Sequence, residues 1–347
     1  MKLGIIGLAR SGKTTIFNAL THRSGESPTG GAKVAPVQGV VPVGDERVEW
    51  LSKLHKPKKT THAQVTYLDL QGIPGLADSK QGYMSLLITH MRPADALLMV
   101  IRNFALPGME EPSPGRDFRE LQDEFLLADL GTVEKRLERI AQEQLKGRKI
   151  GGSERELLEA CGEVLNNEKP LRSRPDLANA PELKGFTFLS AKPLLVIVNN
   201  ADEDDSLPDT SFEDVEAIVV RGKLEMEMAQ LPEEEAAPFQ KDFGISESAV
   251  DRVIRRSFSL LQLGAFFTLG GDEVKAWTIR RGLPAVEAAG VVHSDMQRGF
   301  IRAEVVAFDD LYRAGDHATA RKQGLVRLEG KTYPVQDGDV IEFRFNI

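Results

Sequence analysis

The sequence has few of the residues that mark secreted, membrane or metal-binding proteins. Its single cysteine, Cys161, cannot form an internal disulfide or a cysteine zinc cage, which fits a reducing compartment. The six histidines are scattered, and none is paired at the spacing of a transition-metal site. The longest unbroken apolar run, Ala96–Ile101, is far shorter than the ~20 residues that cross a bilayer, and the N-terminus lacks a signal-peptide cleavage site. These absences predict a cytoplasmic protein without a membrane anchor.

The chain also lacks the excess of positive charge that is typical of proteins that coat nucleic acid, because its net charge is −8. A local basic patch remains compatible with that total. The length of 347 residues exceeds one ordinary domain and suffices for two or three. A content of 41% hydrophobic and 28% charged residues is typical of a globular protein.

Apolar runs, turns and helical stretches alternate along the first hundred residues in the way that βαβ units do. The predicted strands are Leu3–Ile6, Gln38–Val43, Val65–Leu68, Ala96–Ile101, Leu194–Val198 and Ala217–Val220. A charged stretch from Asp117 to Glu168 has apolar residues at spacings of four and three, which predicts an antiparallel helical hairpin. Its apolar positions are Leu126, Leu130, Val133, Leu137 and Ile140, facing Leu157, Cys161 and Val164. Near the C-terminus, the alternations Ile301/Ala303/Val305 and Ile341/Phe343/Phe345 predict a sheet with one buried face.

The strongest chemical signal is a phosphate-loop motif between a strand and a helix. Residues 7–14 read GLARSGKT and match GxxxxGK[ST]. The glycines let the backbone approach phosphates, and the following helix presents its positive end to them. Lys13 is expected to neutralise the β- and γ-phosphates, and the Thr14 hydroxyl to ligate Mg²⁺. The predicted nucleotide-binding residues of the loop are Gly7, Ala9, Arg10, Ser11, Gly12, Lys13, Thr14 and Thr15.

Two shorter motifs follow predicted strands, as the motifs of a nucleotide site do. Asp69–Gly72 reads DLQG, where Asp69 can hold Mg²⁺ through water and the Gly72 N–H can meet the γ-phosphate. Asn199–Asp202 reads NNAD after a buried strand and resembles the base-reading element of GTPases, in which a carboxylate accepts hydrogen bonds from the purine. A polar turn at the end of a strand is the alternative interpretation of the second motif.

Together these residues resemble the Obg-like P-loop NTPases of the YchF subfamily, and the resemblance covers almost the whole chain. It is tightest in the C-terminal segments VKAWTI, AAGVVH, GFIRAEV and VQDGDV, and HMRPADA at 90–96 also resembles that family. The resemblance implies a doubly wound α/β P-loop (G-domain) sheet with an inserted antiparallel helical hairpin and a C-terminal β-grasp, ubiquitin-like TGS domain. The implied bounds are 1–112 with 191–262 for the NTPase domain, 113–190 for the hairpin and 263–347 for the TGS-like domain.

The family resemblance also implies ligands and partners. The ligands are a nucleoside triphosphate, GTP or ATP, and Mg²⁺ held by Thr14 and Asp69. The base contacts are expected at Asn199, Asn200 and Asp202, and at Arg221 and Gly222 of a later loop. The implied partners are the ribosome or structured RNA.

Three departures from the family pattern, and one position that agrees with it, leave nucleotide choice and turnover open. Arg10 stands where relatives carry an Asn that helps to hold a monovalent cation in related GTPases, so its guanidinium either replaces that ion or faces solvent. Lys33 stands at the position of the switch Thr and cannot ligate Mg²⁺ while charged. Ile73 replaces the catalytic Gln of many GTPases, as in this family. Asp202 is the residue of GTP-selective proteins, whereas the family has a Glu linked to ATP.

The resulting functional prediction is a slow regulatory NTPase that switches its association with the ribosome or RNA. Lys13, Gly72 and Arg10 are the predicted catalytic residues. The alternative is a nucleotide-binding scaffold with negligible hydrolysis, because the switch Thr and the catalytic side chain are both absent. A metabolic kinase is disfavoured, since the NNAD motif and the TGS-like segment have no place in one.

Overall fold

The computed structural model describes residues 1–23, 36–70, 80–146, 152–213, 215–232, 235, 238 and 248–346. Lys33, Gly72 and Ile73, named above, lie outside these residues. The chain divides into two compact units, Met1–Gly39 with Thr66–Val253 and Val40–Val65 with Ile254–Ile347. The predicted domain bounds stay a prediction. Residues 40–65, which those bounds place in the NTPase domain, group with the C-terminal unit.

The sheet of the first unit has the strand order β2-β4-β1-β5-β6-β7. Its strands are β1 (Lys2–Ile6), β2 (Val37–Pro42), β4 (Gln64–Asp69), β5 (Ala96–Asn103), β6 (Leu194–Asn200) and β7 (Ala217–Val220), while β3 (Lys59–Thr61) belongs to the other sheet. The pairs from β4 through β7 are parallel. Parallel strands bring their carboxyl ends to one edge, so the segments that follow β1, β4 and β6 meet there.

The helices of the first unit follow the predicted α/β alternation. They are α1 (Lys13–Thr21), α3 (Lys80–Met91), α4 (Pro114–Leu145), α5 (Gly152–Asn166), α6 (Pro175–Ala178) and α7 (Gly222–Met228), while α2 (Glu46–His55) lies in the second unit and α8 (Ala249–Leu260) spans the division. The strands β5 and β6 are buried along nearly their whole length, as expected for a parallel sheet covered on both faces. None of the helices in the described ranges is both long and apolar enough to span a membrane.

The predicted helical hairpin is formed by α4 and α5. Leu126, Val133 and Ile140 of α4 pack in one apolar cluster with Cys161 of α5. The fully buried leucines of the return helix are Leu158 and Leu165, and the predicted Leu157 and Val164 are half-buried beside them. The first turns of α4 instead join the core of the nucleotide unit through Phe118, Leu121 and Phe125.

The second unit contains a mixed sheet of order β11-β10-β12-β8-β9-β3. Its further elements are β8 (Leu263–Leu269), β9 (Glu273–Arg280), β10 (Phe300–Ala307), β11 (Arg327–Glu329), β12 (Asp339–Phe345), α9 (Ala285–Val292), α10 (Ser294–Arg298), α11 (Phe308–Ala314) and α12 (His317–Lys322). β8 and β9 form an antiparallel hairpin, and β12 runs parallel to β8. A central parallel pair with a crossing helix is the arrangement of a β-grasp sheet.

The predicted alternation on β10 is wrong at one position. Ile301 is 57% exposed, whereas Phe300 is buried in the core of this unit. The pairing of β10 with β12 shifts register between Phe300 and Arg302, and such an irregularity turns the neighbouring side chain to the other face. Phe345, the last residue of β12, is also exposed, at 37%.

Candidate nucleotide-binding site

The phosphate loop joins β1 to α1 and requires glycine at two places. A Cβ on Gly7 would lie 2.5 Å from the backbone oxygen of Val100 on the neighbouring strand. Gly12 precedes α1 with a φ of 92°, and a Cβ there would lie 2.1 Å from the Asn199 side-chain nitrogen. Close packing against two other strands therefore fixes the loop's shape before any ligand binds.

Lys13 lies in the first turn of α1, and its ammonium group contacts the phosphate loop. Its Nζ donates to the Leu8 carbonyl at 2.7 Å and lies 5.2 Å from the centre of the Tyr83 ring. Burial lowers the pKa of Lys13 to about 8, although the Asp69 carboxylate opposes the shift. A desolvated cation with so few partners is a strong site for phosphate oxygens.

Asp69 ends β4 and is fully buried beside Thr14. The Thr14 hydroxyl donates to Asp69 Oδ2 at 3.1 Å, while Oδ1 has no hydrogen-bond partner within the described part of the chain. Burial raises the pKa of Asp69 to about 6, although Lys13 and Thr14 oppose the shift. A hydroxyl and a carboxylate with an unused oxygen are ligands suited to Mg²⁺, so these residues fit the predicted ion.

Asn199, at the end of β6, links the phosphate loop to the start of α7. Its Nδ2 donates to the Ser11 carbonyl at 3.0 Å, and its Oδ1 accepts from the Gly222 N–H at 3.0 Å. A Cβ on Gly222 would lie 2.6 Å from that Oδ1 and 2.9 Å from Ile16 of α1. Asn199 therefore positions the loop, and Gly222 is glycine because α1 and Asn199 approach it so closely.

The other predicted base-contacting residues already have partners in the protein. The amide of Asn200 accepts from Asn103 at 2.9 Å and donates to the Ser206 carbonyl at 2.8 Å. The Asp202 carboxylate lies 3.6 Å from the Lys223 ammonium, whose side chain is 68% exposed. Arg221 Nη1 donates to the Asp202 backbone oxygen at 3.4 Å. An exposed ion pair is weak, so the Asp202 carboxylate can exchange Lys223 for a purine, whereas Asn200 is held within the fold.

The remaining predicted loop residues differ in exposure. Ala9 and Arg10 are exposed, and Thr15 is half-buried. Arg10 has a φ of 62°, in the left-handed region. The Ser11 hydroxyl is buried without a hydrogen-bond partner among the described residues. Gly72, predicted to meet the γ-phosphate, lies outside those residues.

The sequence did not predict one residue of the site, Tyr83. The Tyr83 hydroxyl, on α3, donates to the Gly7 carbonyl at 3.0 Å, and its ring faces Lys13. Burial raises the pKa of Tyr83 above its ordinary range, so the phenol stays a neutral donor. Its distance of 76 residues from Gly7 along the chain left no local signal for this contact.

The fold and the site together define a P-loop NTPase with a domain of the GTPase type. Residues 2–128 match the family model described as "50S ribosome-binding GTPase". Residues 263–346 match the model of the YchF GTPase C-terminal domain, described as a protein of unknown function (DUF933).

Full-length relatives narrow this class to one family. The chain is 39% identical to the "Ribosome-binding ATPase YchF" of Bacillus subtilis, over 99% of each chain. It is 34% identical to "Obg-like ATPase 1" of Caenorhabditis elegans, covering 100% of this chain and 92% of that one. The solved YchF GTPase of Schizosaccharomyces pombe superposes with a TM-score of 0.83 at 27% identity, over 99% of this chain and 97% of that one. The chain belongs to the YchF family, and the predicted family and fold class are confirmed.

Proposed function

We propose that this chain is a regulatory P-loop NTPase that binds GTP or ATP with Mg²⁺, hydrolyses it slowly and associates with the ribosome according to its nucleotide state. The association would place it in the cytoplasm. The observation that carries the proposal is the grouping of Lys13, Thr14 and Asp69 at one end of the phosphate loop. Phosphoryl transfer depends on positioning and electrostatics, and these are the groups that supply both.

Each residue of the site has a proposed part. Lys13 holds the β- and γ-phosphates, while Thr14 and Asp69 hold Mg²⁺, which when bound would neutralise developing phosphate charge. Arg10 and Gly72 are the proposed further contacts to the transferred phosphoryl group. The backbone N–H groups of Gly7, Ala9, Ser11, Gly12 and Thr15 belong to the same cradle.

Ribosome association rests on the names of similar proteins. Relatives of 39% and 36% identity are called ribosome-binding ATPases, and the matching N-terminal model is called a 50S ribosome-binding GTPase. Those names differ in the nucleotide they give, and Asp202 offers the carboxylate that guanine recognition needs. Nucleotide choice is therefore decided by titration of both mant-GTP and mant-ATP.

Hydrolysis is tested by single-turnover assays of purified protein with GTP and with ATP. Slow release of phosphate that disappears in Lys13→Ala supports the proposal, because the variant controls for contaminating NTPases. Tight nucleotide binding with no phosphate release above the Lys13→Ala background overturns the NTPase activity and favours the nucleotide-binding scaffold. Binding of neither nucleotide overturns both functions.

Base recognition and ribosome association are tested separately. In Asp202→Ala, a fall in GTP affinity with unchanged ATP affinity assigns guanine recognition to that carboxylate. Co-sedimentation with ribosomes is then measured with a non-hydrolysable triphosphate, with diphosphate and without nucleotide. Equal pelleting in all three conditions contradicts a nucleotide-dependent association.

A further inference from the structure

Residues 53–59 concentrate positive charge in a protein whose net charge is negative. From residue 50 to residue 68 the chain has four lysines, two histidines and no acidic residue, against a net charge of −8 for the whole chain. The four lysines, Lys53, Lys56, Lys58 and Lys59, are all exposed. The basic edge segment comprises residues 53–59.

The basic edge segment has a well-defined backbone within the second unit. Lys53 lies in the last turn of α2, and Lys59 begins β3, the edge strand of the sheet. The N–H groups of Lys58 and Lys59 both donate to the Asp272 carbonyl, at 3.0 and 3.1 Å. An anchored backbone with solvated ammonium groups loses little further backbone freedom when a partner binds.

Acidic neighbours neutralise only part of this charge. Lys58 pairs with Asp272 at 3.1 Å, but the two side chains are 81% and 72% exposed. Lys59 pairs with Glu273 at 3.1 Å and is 71% exposed. Such exposed ion pairs are weak, so a polyanion can displace their acidic partners. Lys53 and Lys56 have no ion-pair partner within the described ranges.

We propose that the basic edge segment is a contact surface for the phosphate backbone of structured RNA. The inference rests on the proposed ribosome association and names the surface that contributes to it. Lysine ammonium groups bind phosphates without sequence preference, as contacts to a nucleic-acid backbone do. A protein partner would need an apolar centre, and the only large hydrophobic side chain exposed in the segment is Leu54, at 37%.

The experiment compares two double variants with the same change in charge. Lys53→Ala/Lys56→Ala removes the two unpaired lysines of the segment, and Lys169→Ala/Lys184→Ala removes two exposed lysines of the first unit. Binding of full-length protein to an RNA duplex of two helical turns is measured by fluorescence anisotropy over a KCl series. Binding of mant-nucleotide to the same proteins is measured in parallel.

The segment variant is expected to lose roughly tenfold in RNA affinity at low salt, and its salt slope to fall by about two. The control variant is expected to stay within about threefold of the parent protein. Equal losses in both variants, or none in either, overturn the proposal. Co-sedimentation of the segment variant with ribosomes is measured as well. If that binding is lost while RNA binding is unchanged, the surface contacts a ribosomal protein, and the proposal is overturned. Mant-nucleotide binding is expected to be the same in both variants as in the parent protein. If the parent and both variants all fail to bind mant-nucleotide, the proposed function itself fails.

Discussion

The Thr14 hydroxyl donates a hydrogen bond of 3.1 Å to the Asp69 carboxylate, across 55 residues of chain. The contact joins the first turn of α1 to the end of β4 and leaves Asp69 Oδ1 without a partner among the described residues. A buried carboxylate with an unused oxygen is costly to the nucleotide-free protein. The arrangement is therefore explained by what the site binds rather than by what stabilises the fold.

The first prediction concerns Asp69→Asn. We expect Mg²⁺ affinity in the presence of nucleotide to fall by about 10- to 100-fold, because the variant loses the charged oxygen that holds the ion. The measurement is a Mg²⁺ titration of EDTA-treated protein with mant-nucleotide. Thr14→Ser keeps the hydroxyl and serves as the matched control, with an expected affinity close to that of the parent.

The same variant separates function from folding. Burial raises the pKa of Asp69 to about 6, so at pH 7 the ionised form opposes folding. Asp69→Asn removes this ionisation, and the nucleotide-free protein is expected to melt at the same temperature or higher. A lower melting temperature with unchanged Mg²⁺ affinity would show that Asp69 is structural.

The second prediction is a loss of nucleotide affinity at alkaline pH. Burial lowers the pKa of Lys13 to about 8 in the nucleotide-free protein, and phosphate oxygens in contact with the ammonium would raise it. Binding then takes up a proton, so affinity is full below pH 8 and falls as the pH rises towards the pKa of the bound state. Mant-nucleotide titrations from neutral to alkaline pH measure this fall.

Lys13→Arg is the control for that profile. A guanidinium stays charged throughout this pH range, so the variant is expected to show a flat profile whatever its affinity. A parent protein with an equally flat profile would mean that Lys13 is already fully charged without nucleotide.

The phosphate loop was predictable because its strand, glycines and helix are contiguous in the sequence. The contacts of Asn199 and Asn200 within the protein were not predictable, because they depend on which polar groups the fold brings to each side-chain amide. Asn199 reaches Ser11 across 188 residues and acts on the loop, whereas Asn200 reaches Asn103 and Ser206. The predicted alternation of buried and exposed residues was wrong at Ile301 for a similar reason, since a shift in strand register cannot be recognised from the apolar pattern.

The third prediction concerns the tether between Tyr83 and the phosphate loop. Tyr83→Phe keeps the ring near Lys13 and deletes the hydrogen bond to Gly7, which contributes about 1 kcal/mol. We expect amide hydrogen exchange in α3 to rise by about fivefold in the nucleotide-free protein. Hydrogen exchange with mass spectrometry measures it, and exchange in α5 is expected to be unchanged.

Tyr312→Phe is the matched control, because Tyr312 is 57% exposed and lies in the other unit. It is expected to leave exchange in α3 unchanged. If Tyr83→Phe also leaves that exchange unchanged, the hydrogen bond to Gly7 does not hold the helix. Tyr83→Leu, which removes the ring as well, is expected to weaken nucleotide binding through loss of the contact with Lys13.

The last prediction concerns the thiol of Cys161, which reports on the helical hairpin. Cys161 is fully buried, and burial raises its pKa to about 11, with nearby Asp129 adding to the shift. At pH 8 only about one thiol in a thousand is then ionised, and the thiolate is the reactive form. We expect alkylation by iodoacetamide to be at least about 100-fold slower in the native protein than in denaturant.

Two leucine variants show whether the hairpin core is what protects this thiol. Leu158→Ala removes a fully buried side chain of the same cluster, a change that costs about 2–5 kcal/mol, and is expected to speed the alkylation of Cys161. Leu127→Ala changes a residue of α4 that is 64% exposed and is expected to leave the rate unchanged. Rapid alkylation of the parent protein in its native state would contradict a packed α4–α5 core, and equal rates in both variants would show that the packing of Leu158 does not protect the thiol.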